Sequence, residues 1–261
     1  MLLTTHNLAV GYGRGKHRTT LLSGLNLSLA PGEMVALLGK NGVGKSTLLR
    51  ALTLSTPPHD GTITIDGQDA STLSPRQLSR LIGLVATTRA IAGALTVEEI
   101  VALGRQPHTG LLGRLDSHDR DIIDKAMTDA GIAHKAHNNI QDLSDGERQK
   151  AMIARALAQE TPIIILDEPT AFLDVASRIE TMQLLHSLAH EHNKAVLLSS
   201  HDIAQSLMLA DRLWLITRDR QLIADTPERI TASGAMNRVF DNPAITFSPT
   251  LHDYLLQSSS H

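Results

Sequence analysis

Residues 39–46 read GKNGVGKS, with MVALL (34–38) before them and STLLRAL (46–52) after them. An apolar run, a glycine-rich loop and an amphipathic stretch, in that order, predict strand, loop and helix. The loop matches G-x-x-x-x-G-K-[ST], and the chemistry explains each residue type. Gly39, Gly42 and Gly44 let backbone N–H groups approach phosphate oxygens. Lys45 brings a cation to β- and γ-phosphates, and Ser46 offers a hydroxyl to Mg²⁺. Asn41 and Thr47 complete the cradle. A purely structural glycine turn is the rival reading, and the strand–loop–helix context weighs against it.

Three more short apolar runs occur: LIGLVAT (81–87), IIILDE (163–168) and AVLLSSH (195–201). Such runs read as strands buried on both faces, as in a parallel sheet covered by helices. Helical patterns at Lys45–Leu54, Ser177–His192 and Ile203–Ala210 follow three of the four runs. Ligands of open α/β sheets bind beyond the carboxyl ends of the strands. Asp167 there suits a Mg²⁺-linked role, Glu168 can orient and deprotonate an attacking water, and His201 can contact a γ-phosphate. Upstream, LLTTHNLAVGYG, TTLLSGLNLSLAPGE and GTITIDGQD alternate and carry turn residues, which predicts an N-terminal antiparallel section.

Residues 88–160 hold no convincing strand. VEEIVALGR, SHDRDIIDKAMTDAG and SDGERQKAMIARALAQ read as helices. The expected organisation is a single α/β unit: 1–87 and 161–225 as core with the antiparallel section, 88–160 as an inserted helical subdomain, and 226–261 as a weakly patterned tail that frays at its end. LSDGERQ (143–149) opens the third helix, with Ser144 as N-cap and Glu147 completing a capping box.

The chain has 261 residues, 42% hydrophobic and 20% charged, with net charge −3. No basic excess suggests a nucleic-acid partner, and 2% aromatics are too few for base-stacking platforms. The absence of Cys leaves no disulfide or thiolate metal site. The N-terminal stretch lacks a basic segment and a long apolar core, so no signal peptide is expected. No run is long enough for a membrane span. His186, His190 and His192 lack a partner at useful spacing and read as a solvated helix face.

Taken together and in this order, the motifs resemble those of an ATP-binding-cassette ATPase along nearly the whole chain. GKNGVGKS looks like Walker A, IIILDE like Walker B and LSDGERQ like the signature. AFLD with Asp174 resembles the D-loop, and His201 the switch histidine. Tyr12 in VGYG looks like the aromatic residue that stacks on adenine. The resemblance implies a P-loop core that binds ATP and Mg²⁺ and a head-to-tail homodimer. In that dimer the signature helix of one chain, through Ser144 and Gly146, would cap the γ-phosphate held by the other. Two departures stand out. The usual signature LSGGQ has Asp145 and Glu147 at its third and fifth places here. An acid about 4 Å from a phosphate charge would cost about 4 kcal/mol at an effective dielectric near 20, so Asp145 is expected to turn away. The family's glutamine at the entry to the helical subdomain aligns with Thr87, a shorter candidate Mg²⁺ ligand.

TVEEIVALGRQPHTG (96–110) and EPTAFLD (168–174) look like cassettes of importers for iron–siderophore complexes, haem and cobalamin. That implies an ATPase on the cytoplasmic face of a membrane, bound to a polytopic permease and served indirectly by a periplasmic or surface binding protein. A soluble cassette acting in assembly or repair is the alternative. A small-molecule kinase is a third reading, and it leaves LSDGERQ and AFLD unexplained.

Overall fold

The apolar run ahead of the glycine loop forms β4 (Met34–Gly39), the middle of a twisted sheet. A computed structural model describes residues 1–13, 15–86, 95–109, 113–239 and 245–256. The chain runs β1 (Leu3–Tyr12), β2 (Thr19–Leu25), β3 (Ser28–Leu29), β4, α1 (Lys45–Leu52), β5 (Asp60–Ile65), β6 (Gln68–Asp69), α2 (Pro75–Leu78) and β7 (Ile82–Val85). Three helices follow, α3 (Val97–Ala102), α4 (Ser117–Asp129) and α5 (Asp145–Ala158). Then come β8 (Ile163–Leu166), α6 (Val175–His190), β9 (Ala195–Ser199), α7 (Ile203–Leu209), β10 (Arg212–Ile216), β11 (Leu222–Asp225), α8 (Pro227–Ala232), β12 (Ile245–Ser248) and β13 (Asp253–Leu256).

The larger sheet has the order β11-β10-β4-β9-β8-β7, parallel except for the edge strand β11. The second sheet is antiparallel, β2-β1-β5-β6, with β3 also on β1. This is the α/β fold with an N-terminal antiparallel section that the sequence predicts. Successive side chains of β4 serve two cores, as a pleated strand requires. Val35 and Leu37 join Leu8, Leu22, Leu48 and Trp214 under the antiparallel sheet. Met34, Ala36 and Leu38 join Leu166, Met182, Leu185 and Leu198 on the other face. Each such leucine contributes about 1.5–3 kcal/mol of burial.

Helices α3, α4 and α5 enclose a third cluster, with Val97, Ile100, Ile123, Met127, Ile140 and Ala154 in it. All three start on a capping box, Thr96/Glu99, Asp116/Asp119 and Ser144/Glu147. Buried Arg105 binds the unit together. Its guanidinium donates to Asp119 Oδ1 at 2.8 Å, Ala158 O at 2.8 Å and Glu160 Oε2 at 2.7 Å. That bond holds the Asp119 carboxyl below the usual carboxylate range.

Four expectations need correction. RLWLI (212–216) forms the buried strand β10, which the sequence reading passed over. Helix α6 stops at His190 instead of His192, and Asn193 turns to a positive φ of 52°. The weakly patterned tail holds defined elements: α8 follows a Thr226 cap, and β12 pairs with β13, while the expected fraying at residues 257–261 lies outside the described residues. The histidine face is not merely solvated. His186 and His190 stack with ring centroids 4.1 Å apart, and His190 Nε2 donates to Asp211 Oδ1 at 3.1 Å.

Candidate active site

The glycine loop leaves β4 at Gly39, whose φ of 155° and contact with Ile216 O leave no room for a side chain. Gly44, with φ 122°, is the N-cap of α1 and supplies no side-chain hydrogen bond. No acid stands in the first turn. Helices α3, α4 and α5 satisfy their first amides with capping side chains; α1 keeps its own for something else. Free N–H groups at a helix start, with the positive end of the dipole behind them, bind anions. Lys45 is 5% exposed, and its Nζ donates to Gly39 O at 2.8 Å. Burial pulls its pKa down, while Glu168 and Asp167 push it up.

Behind the loop, β8 ends in the two carboxylates. Asp167 Oδ1 accepts from Ser46 Oγ at 3.2 Å and from Ser199 Oγ at 2.7 Å. The same Ser199 Oγ accepts the Glu168 N–H at 2.9 Å. Ser199 is fully buried at the end of β9, and sequence reasoning missed it. The signal was its place two residues before His201 on an apolar strand. Glu168 adopts φ 50°, a left-handed conformation costly for a residue with a side chain. His201 Nε2 donates to Glu168 Oε1 at 2.6 Å. Lys45, Ser46, Asp167, Glu168 and His201 thus converge at one sheet edge, as the strand ends predict.

The other expected residues fall elsewhere. Tyr12, 59% exposed, lines a separate cavity of about 540 Å³ with Thr47, Arg50 and His59. Asn41 and Gly42 are exposed on the loop. Gly146 packs on Ser177: a Cβ there would lie 2.6 Å from Ser177 Oγ. Asp174 caps α6 through the Ser177 N–H at 2.8 Å, and that bond holds its carboxyl below the usual range. Ser144, Gly146 and Asp174 therefore form a second group, at the junction of α5 and α6. Ser144 Oγ is engaged with Glu147, as the capping box predicts. Asp145 turns along its own helix, where Oδ1 accepts from Arg148 Nη1 at 2.7 Å. Thr87 lies outside the described residues.

The ABC transporter family matches residues 22–171. The chain belongs to that family. Ferric enterobactin transport ATP-binding protein FepC of Escherichia coli K12 is 36% identical over 239 residues, 91% of this chain and 86% of that one. A solved transporter described as of metal-chelate type, in an inward-facing conformation, superposes with TM-score 0.80 at 28% identity, covering 97% of this chain and 95% of that one. The dimeric ATP-binding cassette MJ0796, in a post-hydrolysis state with ADP and Pi, gives TM-score 0.73 at 28% identity, covering 86% and 98%. This ABC protein is accordingly an ATPase. For Mg²⁺ the donor set fits: Ser46 and Asp167 are hard oxygen ligands already within hydrogen-bond reach of each other. Among the described residues no helix is long and apolar enough to cross a membrane.

Proposed function

We propose that this ABC ATPase energises uptake of a metal chelate of the iron–siderophore, haem or cobalamin class. It would sit as a homodimer on the cytoplasmic face of a membrane, beneath a polytopic permease that receives cargo from a binding protein. The uncapped start of α1, with buried Lys45 folded over the loop, is the observation that carries ATP binding. The α1 amides and Lys45 hold the phosphates, and Tyr12 stacks on the base. Ser46 and Asp167 would hold Mg²⁺, with Thr87 as a further candidate; the ion would neutralise phosphate charge. Glu168 takes a proton from water as the water attacks the γ-phosphorus, and the bond to ADP breaks. His201, now on Glu168, shifts to the γ-phosphate when ATP arrives and releases the carboxylate for that water. Ser144 and Gly146 reach the phosphate in the partner's cradle, with Asp174 at the seam.

The helical unit, residues 88–160, acts in this reading as a subdomain that turns against the core. A groove of about 650 Å³ lies where the two meet, lined by Pro75, Arg76, Leu103, Pro107, Arg155 and Gln159. Leu103 is 40% exposed there, which suits a docking permease helix. Kinship with FepC and with the metal-chelate type transporter supports the cargo class. The test is purification of the tagged chain from detergent-solubilised membranes. A polytopic permease should co-purify, and its reconstituted ATPase should respond to loaded binding protein. Recovery of the chain only from the soluble fraction would refute the importer reading.

A further inference from the structure

Gln149 lies on α5, just beyond the capping box. Its Nε2 is buried and donates to none of the described residues. It lines a cavity of about 340 Å³ whose walls include Asp145 and Arg148 of the same helix and Asp167 and Glu168 beyond β8. Buried donors in native proteins are seldom left without a partner, so an orphan in a polar cavity serves a water, a ligand or a moving group. The space holds several waters, each of roughly 30 Å³. Asp145 and Arg148 already satisfy each other. Glu168 Oε1 takes the His201 proton, and Glu168 Oε2 accepts from none of the described residues. The residue with the unused donor and the residue with the unused acceptor line the same small volume.

We propose that Gln149 is a positioning residue that transmits the placement of α5 to Glu168. Its amide donates to Oε2, through a cavity water or directly once α5 shifts, and turns the carboxylate toward the attacking water. Ser144 caps the same helix. Five residues separate the two, about 7.5 Å along the axis and about 140° around it. A phosphate bound at the helix start therefore moves both side chains as one body. The partner's filled cradle sets this chain's own base, which makes hydrolysis cooperative in ATP. The inference rests on the reading of Glu168 as the base.

Gln149→Glu keeps size but exchanges the donor for a carboxylate oxygen that Glu168 repels; Gln149→Leu removes both polar atoms without adding charge. With the purified full chain, both variants should lose kcat by about ten- to a hundredfold, the worth of one hydrogen bond to a charged group. ATP affinity should stay within about twofold, and the Hill coefficient for ATP should fall toward one. Unchanged kcat overturns the proposal. So does weaker ATP binding at full kcat, or a fall in kcat with the Hill coefficient intact. If a variant melts early, kcat and the Hill coefficient are read well below its melting temperature, where the folded chain is the only species. Glu168→Gln run alongside separates the two ideas: normal turnover in that variant would sink the base reading itself.

Discussion

Lys45 is a buried cation whose Nζ donates to the loop carbonyls of Gly39 and Lys40. Removing it takes away one charge and several phosphate contacts, each of the strong, charge-assisted kind. Lys45→Ala should weaken ATP binding by about a hundredfold or more; equal calorimetric affinities would contradict the role. Glu168→Gln should bind ATP normally, stop turning over and accumulate as an ATP-loaded dimer, seen by size-exclusion chromatography. Asp145 points along its own helix to Arg148. Its grip on Arg148 is an exposed i,i+3 pair worth only about 0.2–0.5 kcal/mol. Asp145→Gly should therefore cost little stability and leave ATP-driven dimerisation nearly unchanged when titrated on a Glu168→Gln background. Dimerisation at much lower ATP would mean that the carboxylate faces the phosphate.

Elements show what pattern reading could and could not reach. α5 was legible because its cap, its box and its alanine-rich stripe all lie within one stretch. The strand ends were legible because Gly39 and Asp167 break their apolar runs directly and His201 follows one after two serines. Strand β10 begins three residues after the end of α7 and gave the sequence reading no separate signal; pairing with β4 and β11 defines it. Arg105 looked like the end of a helix; its acceptors stand 14, 53 and 55 residues away. Arg105→Ala leaves those carboxylates without their cation and should cost about 3–5 kcal/mol in urea unfolding. A loss below about 1 kcal/mol would show that water replaces the guanidinium. Gly146→Ala should push Ser177 off Asp174, and Ser177→Gly in the same chain should recover most of the lost melting temperature.

At the scale of the whole molecule, Asp211 ties the ends of two distant elements. Its Oδ2 accepts the Met34 N–H at 2.8 Å, at the start of β4, and its Oδ1 holds His190 at the end of α6. His190 Nδ1 also faces an acceptor, His186 O at 2.9 Å. With an acceptor at each nitrogen the imidazolium is favoured, and the pKa is raised, first by the His186 carbonyl and then by Asp211. A raised folded pKa means stability that is fully present below the unfolded value, about 6.5, and is lost as pH rises through the folded value. Substituting His190 by Ala should therefore lower the melting temperature below pH 6.5 and matter less as the buffer becomes alkaline. A gap that widens with pH would reverse the assignment. No spacing rule could find this contact, because Asp211 lies beyond two further elements.

The missing cap on α1 has a cellular side. A nucleotide that completes the first turn of a helix is part of the fold, and occupancy raises the unfolding free energy as RT ln(1 + [L]/Kd). At a hundred times Kd that is about 2.7 kcal/mol. The chain's lifetime should then follow the energy charge of its host. When ATP falls, α1 should be among the first segments to exchange its amides for deuterium, and starved cells should degrade the idle cassette sooner than fed ones.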